Sequence, residues 1–313
     1  MALSTKLAVI DVGSNSSKVL ISNVSRDGQV NKIIEKSHAC RLIDSEYSKT
    51  RKLSDEAQQN LIDVLSDLLS LCNQHNVDKT LMVATAAVRN ASNSSNLLAK
   101  VKERFSLELK VLTGEEESHL IGRGLLLDPS LDRCGLFQAF DLGGGSLELI
   151  QFQVDAPTVN KSLPLGALSV SEGLSFDITK PFLFPNELRL RMREQVENCG
   201  LISDQDCPLV GLGGAIFYIR KIFSRIKNLN FEECKEFSLE EISWLASTGS
   251  RLSLQDRLIK FPELPADRGD VFPVVSIIIE EIMKTLSKDT FLHSQFNLRY
   301  GVAAKLGCCD LKD

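Results

Sequence analysis

Two stretches of the chain place a short apolar run on each side of a glycine turn. The first is Ala8-Val-Ile-Asp11-Val-Gly13-Ser-Asn15-Ser16-Ser-Lys18-Val-Leu-Ile21, and the second is Ala139-Phe-Asp141-Leu-Gly143-Gly144-Gly145-Ser146-Leu-Glu148-Leu-Ile150. The Asp, the first Gly and the Ser of the first stretch recur in the second at a constant offset of 130 residues, as from Asp11 to Asp141. Apolar runs joined by glycine predict a strand, a tight turn and a second strand. The chain therefore contains a duplicated hairpin.

The remaining pattern predicts alternating strands and helices after each hairpin. Ser54 is a typical N-cap residue, and the apolar positions after it recur at helical spacing from Leu61 to Leu69. Further strands are expected at 30–36, 80–84, 109–112, 158–165 and 208–211, and further helices over 97–105, over 185–199, after Gly214 and over 272–286. The apolar helix at 272–286 is expected to lie in the core rather than in an interface.

The length and the order of these elements predict two domains of the α/β class. A chain of 313 residues is long for a single hydrophobic core. The predicted division is 1–120 and 121–302, with 303–313 packing back on the first domain. Strands that alternate with helices in both halves favour an α/β layer in each.

Composition and charge exclude several classes of protein. Hydrophobic residues make up 43% and charged residues 25%, as in an ordinary globular protein, and no apolar stretch reaches the roughly 18 residues of a membrane span. A net charge of −5 argues against a nucleic-acid-binding face. Eight cysteines without a Cys-x-x-Cys pair predict reduced, mostly buried thiols, and four scattered histidines argue against zinc. We expect a cytoplasmic protein, because its first residues leave no room for a signal peptide.

The two glycine turns are candidate phosphate-binding loops. Glycine lets the backbone approach an anion closely, and the N–H groups and the Ser16 or Ser146 hydroxyl point into the loop. The triglycine turn lacks the Gly-Lys-Ser/Thr ending of a P-loop, and it leads into a strand where a dinucleotide site leads into a helix. A plain hairpin turn is the alternative for either copy alone, but two aligned copies favour phosphate binding.

Carboxylates beside the turns are candidate metal ligands. Asp141 and Glu148 flank the triglycine turn, and Mg²⁺ binds through few protein carboxylates while it keeps several waters. Asp11 has the matching position in the first hairpin and is a candidate ligand of the same ion. Hydrogen bonding within its own loop is an equal alternative for Asp11.

Two further groups could act on a phosphate. Glu115, Glu116 and Glu117 lie where a strand gives way to a helix, so they either stabilise the helix N-terminus or supply a general base that orients water. Arg89 follows a buried strand, and its guanidinium either binds phosphate oxygens or lies on the surface.

Together these motifs resemble the exopolyphosphatase / guanosine pentaphosphate phosphohydrolase family over about residues 7–305. The motifs that carry the resemblance are, in order, Asp11-x-Gly-Ser-Asn15-Ser16, Ala84-Thr85-x-Ala-x-Arg89, Gly114-x-Glu-Glu117, Asp141-x-Gly-Gly-Gly-Ser146-x-Glu148, Leu163-Pro-Leu-Gly166-Ala167, Gly211-x-Gly213-Gly214 and Arg268-x-Asp270. The resemblance implies an α/β fold with two actin-like domains (the ribonuclease H-like, sugar-kinase and Hsp70 superfamily) and an active site in the interdomain cleft. The implied reaction is hydrolysis of a terminal phosphoanhydride with release of orthophosphate.

The resemblance also implies a role for each matching residue. Glu117 matches the base that activates water, and Asp141 and Glu148 match residues associated with Mg²⁺. The positions expected to bind phosphate are Asn15, Ser16, Arg89, Gly144, Gly145, Ser146, Gly213 and Gly214. The implied cofactor is Mg²⁺, with Mn²⁺ as a substitute, and no organic cofactor is expected.

Three departures from the family pattern keep several functions open, and in a fourth Ser17 stands where the family has a bulky residue. His119 replaces an arginine, Ala215 replaces a threonine and Tyr300 replaces a glutamate. The leading hypothesis is an exopolyphosphatase, and the second is removal of the 5′ γ-phosphate of guanosine pentaphosphate (pppGpp). A kinase of the same superfamily and a non-catalytic phosphate or alarmone sensor are the other hypotheses. The expected partners are polyphosphate or guanosine penta- or tetraphosphate, without nucleic acid or membrane, and a homodimer is a further expectation.

Overall fold

The computed structural model of the chain describes residues 4–131, 135–153, 156–202 and 207–309. The chain divides into two compact units, Met1–Asp132 with Phe296–Asp313, and Arg133–Gln295. The predicted boundaries at 120/121 and 302/303 fall inside two helices, Gly114–Leu125 and Leu298–Cys309, which both belong to the first unit. The compact units therefore have bounds that differ from the predicted division. The last four residues of the predicted segment 303–313 lie outside the described residues.

The sheet of the first unit has its first strand in the middle. Its strands are β1 (Ser4–Val12), β2 (Ser16–Ser25), β3 (Val30–Ala39), β4 (Lys79–Ala84) and β5 (Leu109–Val111). Their order is β3-β2-β1-β4-β5, with β1–β3 antiparallel and with β4 and β5 parallel to β1. Both neighbours of β1 hydrogen-bond to it, and its residues 7–10 are fully buried.

Five helices of the first unit follow the strands. They are α1 (Ser45–Thr50), α2 (Asp55–Gln74), α3 (Ala86–Arg89), α4 (Ser94–Phe105) and α5 (Gly114–Leu125). α2 begins where the sequence predicted, because the Ser54 hydroxyl accepts a hydrogen bond from the N–H of Ala57 at 3.2 Å. The apolar face predicted for α2 is buried at Leu61, Leu65 and Leu68.

The sheet of the second unit repeats this plan and extends it by one strand. Its strands are β6 (Leu136–Leu142), β7 (Leu147–Gln153), β8 (Ala156–Leu163), β9 (Leu209–Leu212), β10 (Glu236–Ser238) and β11 (Thr290–His293). In the order β10-β11-β9-β6-β7-β8, strands β6–β8 are antiparallel and β9 and β11 continue in parallel. The α/β class predicted for both halves is confirmed.

Within the described residues, seven helices belong to the second unit, and the chain then returns to the first unit in α13 (Leu298–Cys309). The seven are α6 (Ala167–Glu172), α7 (Asn186–Glu197), α8 (Gly214–Lys227), α9 (Leu239–Arg251), α10 (Leu254–Lys260), α11 (Ala266–Gly269) and α12 (Phe272–Thr285). All of α12 from Phe272 to Met283 is buried, which confirms the predicted core helix. Its two buried acids, Glu280 and Glu281, both pair with Arg189 of α7, whose Nη1 lies 2.8 Å from Oε2 of Glu280, and Lys284 and Arg193 supply further positive charge.

The duplicated hairpin is confirmed in register as well as in sequence. In the first unit Asp11 of β1 lies opposite Lys18 of β2. In the second unit Asp141 of β6 lies opposite Glu148 of β7. Residues directly opposite each other in an antiparallel pair point to the same face of the sheet. One position of the duplicated hairpin therefore carries a cation in one unit and an acid in the other.

Two of the remaining predictions concern thiols and membranes. The five cysteines whose side chains are described, Cys40, Cys72, Cys199, Cys207 and Cys234, are buried free thiols, as predicted. Burial raises the pKa of the Cys40 and Cys72 thiols, so these groups are poor nucleophiles near neutral pH. No helix within the described residues is long and apolar enough to cross a membrane.

Helices α5 and α13 approach so closely that glycine is required on both. A Cβ atom at Gly301 of α13 would overlap the carbonyl oxygen of Leu120 in α5. A Cβ atom at Gly124 of α5 would overlap the carbonyl oxygen of Asn297, which precedes α13. Packed helix backbones leave no side chain that could move aside. This contact holds α5 against the C-terminal helix of the same unit.

We expect Gly301→Ala to destabilise the first unit. Alanine favours a helix by about 1 kcal/mol over glycine, but overpacking against a backbone atom costs about 1–3 kcal/mol or more. The clash therefore outweighs the gain in helix propensity, and the midpoint of urea denaturation is expected at a lower urea concentration. Gly135→Ala is the control, because its Cβ would meet nothing within 4 Å. An unchanged midpoint for Gly301→Ala would contradict the close contact of α5 and α13.

Candidate functional site

The first glycine turn buries its polar side chains between β1 and β2. The N–H of Gly13 donates to the carbonyl of Ser16 at 3.2 Å and closes the turn. Ser14, Asn15 and Ser16 are each at most 5% exposed. The side-chain Nδ2 of Asn15 is buried without a hydrogen-bond partner, while its Oδ1 accepts from Nε of Arg41 at 3.1 Å. The turn therefore presents at least one buried donor that is not satisfied within the structure.

Asp11 is surrounded by cations, which bears on its predicted role as a metal ligand. Its Oδ2 lies 3.5 Å from Nη1 of Arg299, and Lys18 is its cross-strand partner. Nη2 of Arg299 also binds Glu35 of β3. An arginine held by two carboxylates ties α13 to β1 and β3. The metal role of Asp11 stays a prediction, and the ion pair would compete with any cation for its carboxylate.

Among the three adjacent acids at the start of α5, the structure singles out Glu117. Thr113 caps the helix in a capping box, in which its hydroxyl accepts from the N–H of Glu116 and the Glu116 carboxylate accepts from the N–H of Thr113. The backbone hydrogen bond to Thr113 lowers the pKa of Glu116, which also pairs with Lys110 at 3.3 Å. Glu115 is exposed. Glu116 thus stabilises the helix N-terminus, and the other two acids remain as candidate bases.

Glu117 is buried and is held in place by Arg89. Its residue exposure is 6%, and Nη1 of Arg89 lies 2.7 Å from its Oε2. The same Nη1 donates to the carbonyl of Leu112 at 2.9 Å. Since Arg89 ends the short helix α3 beside β4, the ion pair joins the carboxyl ends of two neighbouring strands, β4 and β5. The structure therefore brings two predicted site residues together, with Arg89 as the partner of the carboxylate.

The triglycine turn of the second unit is oriented by helix α6. The carbonyl of Gly143 accepts from the N–H of Ala167 at 2.9 Å, and that of Gly144 accepts from the N–H groups of Leu168 and Ser169 at 2.8 and 3.1 Å. The carbonyl of Gly145 accepts from the Ser169 hydroxyl at 2.9 Å. Three successive carbonyl groups are thus directed at one short helix.

The orientation of these carbonyl groups determines where the N–H groups point. In a planar trans peptide the N–H of one residue points opposite to the carbonyl of the residue before it. The N–H groups of Gly144, Gly145 and Ser146 are therefore directed away from α6. Successive N–H groups that point the same way form a concavity that binds anions. The geometry thus fits the prediction of these three residues as phosphate ligands.

The turn can meet α6 only because residue 166 is glycine. A Cβ atom at Gly166 would overlap three backbone atoms of the turn, the carbonyl oxygen of Gly144, the carbonyl carbon of Gly145 and the nitrogen of Ser146. Gly166 lies in the Leu163-Pro-Leu-Gly166-Ala167 motif, to which the sequence alone assigned no role. Its role is to let the start of α6 approach the backbone of the turn closely. Ser169, which donates to the carbonyl of Gly145, is a further residue that sequence reasoning missed.

Asp141 and Glu148 form an acidic pair beside the triglycine turn. They lie directly opposite each other on β6 and β7, so that their side chains share one face of the sheet. Glu148 is 2% exposed, and its Oε1 accepts from the Ser162 hydroxyl on β8 at 2.8 Å. Two carboxylates on one face, one of them held by a hydroxyl, suit a hard divalent cation.

The described residues contain no cluster of three or more His, Cys, Asp or Glu that could hold a metal ion. This finding is compatible with Mg²⁺, which commonly binds through one or two carboxylates and completes its shell with water and substrate phosphate. The donor set of Asp141 and Glu148 thus fits the cation that the sequence implies.

The third glycine loop packs against the carboxylate of Asp141. Gly213 has a φ of +114°, and a Cβ there would lie 2.5 Å from the carbonyl oxygen of Leu142 and 3.2 Å from Oδ1 of Asp141. α8 begins at the next residue, Gly214, whose Cβ position is 3.7 Å from both Nη atoms of Arg268. The second unit therefore brings together the triglycine turn, an acid, a helix N-terminus and an arginine.

Arg257 is a buried cation that no sequence motif singles out. Its side chain is fully buried and donates to four backbone carbonyls, those of Gly249, Gly269, Asp270 and Ile178, at 2.6–3.2 Å. Burial lowers the pKa of Arg257 to about 10, so it remains charged at neutral pH. Two of the four carbonyls follow Arg268 directly, so Arg257 holds the backbone that carries Arg268.

The three departures from the family pattern lie in different surroundings. His119 is exposed on α5, and Ala215 is half-buried in the first turn of α8. Tyr300 is buried and contacts Phe296, with ring centroids 4.8 Å apart. Burial raises the pKa of Tyr300 to about 12, so the phenol stays neutral. A neutral aromatic group thus stands where the family pattern has an acid.

Sequence comparisons match the chain to a known protein family. A model described as the Ppx/GppA phosphatase family matches residues 21–306. Exopolyphosphatase 1 of Mycobacterium tuberculosis is 30% identical over 162 residues, which cover 52% of this chain and 46% of that protein. The bifunctional 3-dehydroquinate synthase/phosphatase of Fusobacterium nucleatum is 23% identical over 300 residues, which cover 92% of this chain and 44% of that protein. The chain spans about half the length of the curated relatives that it matches.

Solved structures share the fold. The structure of the Ppx/GppA family member of Aquifex aeolicus matches with a TM-score of 0.76 and 24% identity. The match covers 99% of this chain and 100% of that chain. The structure of an exopolyphosphatase of Cytophaga hutchinsonii matches with a TM-score of 0.85 and 21% identity. The match covers 97% of this chain and 98% of that chain. At this identity the likeness shows the fold alone, and it confirms the predicted two-domain α/β fold class.

We expect Gly166→Ala to disorganise the triglycine turn. Because the new Cβ would overlap backbone atoms, the turn must move, and the N–H groups of Gly144 to Ser146 lose their common direction. Hydrogen exchange at the amides of Ala167, Leu168 and Ser169, which donate to the turn, is expected to accelerate, with a loss of stability of about 1–3 kcal/mol. Gly173→Ala, at the other end of α6, is the control, because its Cβ would lie 3.5 Å from its nearest neighbour. Equal exchange in the two variants would contradict the assigned role of Gly166.

Proposed function

The chain belongs to the Ppx/GppA phosphatase family, and we propose that it hydrolyses terminal phosphoanhydride bonds of inorganic polyphosphate, releasing orthophosphate. The observation that carries the proposal is the buried Glu117 carboxylate, held at 2.7 Å by Arg89. Phosphoryl transfer asks a protein for little covalent chemistry and mainly for positioning and charge stabilisation. A buried, oriented carboxylate and loops of N–H donors supply these two requirements.

In the proposed reaction Glu117 acts as the general base. Arg89 orients the carboxylate by its hydrogen bond to Oε2, and we assign the carboxylate to the attacking water. As the water oxygen forms its bond to the terminal phosphorus, one water proton passes to the carboxylate and the bridging P–O bond breaks. The bridging oxygen stays with the shortened chain as the leaving group, and Glu117 returns its proton to solvent after each cycle.

The glycine loops are proposed to bind the phosphate oxygens. The N–H groups of Gly144, Gly145 and Ser146 share one direction, and the N-termini of helices such as α8 attract anions. In the first unit the proposed ligands are Asn15, Ser16 and the Nη2 and Nε atoms of Arg89. Gly213 contributes backbone that a larger residue would obstruct, and Gly214 is proposed to contribute as the first residue of α8.

Asp141 and Glu148 are proposed to hold Mg²⁺, or Mn²⁺ in its place. The bound cation would neutralise negative charge that develops on phosphate oxygens. Ser162 orients Glu148 through its hydrogen bond to Oε1. Outer partners of this kind direct a carboxylate at the ion and change its affinity.

Removal of the γ-phosphate from pppGpp is the alternative, because it breaks the same kind of bond with the same residues. The two substrates differ in the group that the terminal phosphates are attached to, which is a longer chain in one and a nucleoside in the other. A test of the proposal therefore needs both substrates. The homodimer expected from the sequence stays a prediction.

We expect Glu117→Gln to lower phosphate release by about 10²–10⁴-fold, because an amide cannot accept the water proton. The measurement is orthophosphate release with Mg²⁺ from medium-chain polyphosphate and from pppGpp. Glu115→Gln, an exposed acid of the same helix, serves as the comparison and is expected to lose far less.

Each outcome of this assay has a defined meaning. Release from one substrate that collapses in Glu117→Gln supports the proposal and names the preferred substrate. No release from either substrate by the wild type would overturn it. In that case acceptor-dependent ATP consumption would indicate a kinase, and tight binding without turnover would indicate a sensor.

We expect Ser162→Ala to raise the Mg²⁺ concentration for half-maximal activity by about 10-fold, since loss of an outer partner weakens metal binding by about 10–100-fold. Asp141→Asn is expected to raise it further, because a ligand charge is lost. At saturating Mg²⁺ the kcat of Ser162→Ala should return to nearly the wild-type value. A reduced kcat at an unchanged Mg²⁺ requirement would contradict the assignment of Glu148 to the metal.

A further inference from the structure

The amide of Asn15 has a defined orientation, because Arg41 determines which atom faces it. The Nε–H of an arginine can only donate a hydrogen bond, so the Asn15 atom 3.1 Å from it must be the oxygen. The Nδ2 group therefore points the other way. It is buried in a residue that is 5% exposed, and it has no hydrogen-bond partner.

The backbone directs Arg41 at the first glycine turn. The β2–β3 ladder ends at Ser16 opposite Ala39, and the chain then continues alongside the turn. The N–H of Cys40 donates to the carbonyl of Asn15 at 3.2 Å, and the N–H of Leu42 donates to the carbonyl of Ser14 at 2.8 Å. Arg41 lies between these two hydrogen bonds, while the side chains of its two neighbours are buried.

We propose that Arg41 is a positioning residue, which holds the Asn15 amide so that its NH₂ group is presented to a phosphate oxygen of the substrate. The inference rests on the proposed function. Buried NH₂ groups are normally paired, so an unpaired one at a glycine turn indicates a ligand acceptor. An anionic oxygen is the acceptor that suits a donor-only group in a glycine turn.

Without Arg41 the same asparagine would lose its selectivity for an anion. An amide can rotate to exchange its oxygen and nitrogen, and in the exchanged state the oxygen would face the phosphate and repel it. In the presence of Arg41 the exchanged state would place two donors against each other. Arg41 thus converts a residue that can donate or accept into a donor.

A double-mutant cycle tests whether Arg41 acts through Asn15. The variants are Arg41→Met, Asn15→Ala and the two combined. KM with polyphosphate is measured in the otherwise wild-type enzyme, and Kd of tripolyphosphate is measured in a Glu117→Gln background. We expect each single variant to weaken binding by about 10-fold, and the double variant to bind no more weakly than Asn15→Ala alone. Multiplied losses in the double variant, or no loss in Arg41→Met, would overturn the proposal.

Asn15→Asp separates the donor role from a structural one. The aspartate can pair with Arg41 at least as well as the amide does, but it presents no donor to the substrate. We expect its urea midpoint to equal or exceed that of the wild type, while tripolyphosphate affinity falls below that of Asn15→Ala. Wild-type affinity in Asn15→Asp would overturn the proposal. Arg104→Met, an exposed arginine on α4, is the control for loss of a positive charge.

Failure of this inference is distinguishable from failure of the proposed function. If the wild type hydrolyses polyphosphate and the binding losses of the two single variants multiply in the double variant, the function stands and the role of Arg41 is wrong. If the wild type neither hydrolyses nor binds polyphosphate, the function fails, and the claim that Asn15 awaits a phosphate fails with it. A non-additive cycle in the urea midpoint would then still establish the contact between Arg41 and Asn15.

Discussion

The hydrogen bonds from α6 to the carbonyl groups of Gly143 to Gly145 are the constraint on which the proposed chemistry of the second unit depends. A glycine turn by itself has many conformations, and nothing in Gly-Gly-Gly decides where its N–H groups point. Because α6 binds the carbonyls of Gly143 to Gly145, the peptide planes are turned to one side and the N–H groups to the other. The helix can come this close only at Gly166. Gly166 thus determines the direction of the N–H groups, and that direction suits an anion.

The duplicated hairpin shows how one fold supports two kinds of chemistry. In both copies the aspartate has the same place in the register, but its cross-strand partner is Lys18 in one and Glu148 in the other. The pair of Asp141 and Glu148 concentrates negative charge and suits a cation. The pair of the first unit is balanced, and Arg299 adds a second positive group to Asp11. A change at one position therefore separates a hairpin suited to a cation from one suited to donating hydrogen bonds.

The sequence predicts what is local and leaves open what depends on tertiary contacts. The α2 helix and the buried face of α12 follow from periodicity, and the hairpins follow from their glycine turns. α9 was not predicted, although Ser238 and Glu241 form a capping box that is readable in the chain. The residues alone leave the choice among three adjacent acids open and the family resemblance selects Glu117, while its partner Arg89, which lies on another element, is seen only in the structure. Arg41 and Arg257 were missed because their partners are backbone or amide groups distant in sequence.

A net charge of −5 and a polyanionic substrate are compatible when the donors are mostly neutral. The triglycine turn offers backbone N–H groups, and Asn15 offers an amide, so neither adds a formal charge. Arg41, Arg89 and Arg299 each hold a side-chain oxygen of the protein, so part of their charge orients other groups. Binding by oriented dipoles does not need a long-range positive field, because the dipoles act at contact distance. Under the proposed function, an acidic protein of this construction would select phosphate by hydrogen-bond geometry, and the proposed divalent cation would supply the positive charge that the chain lacks.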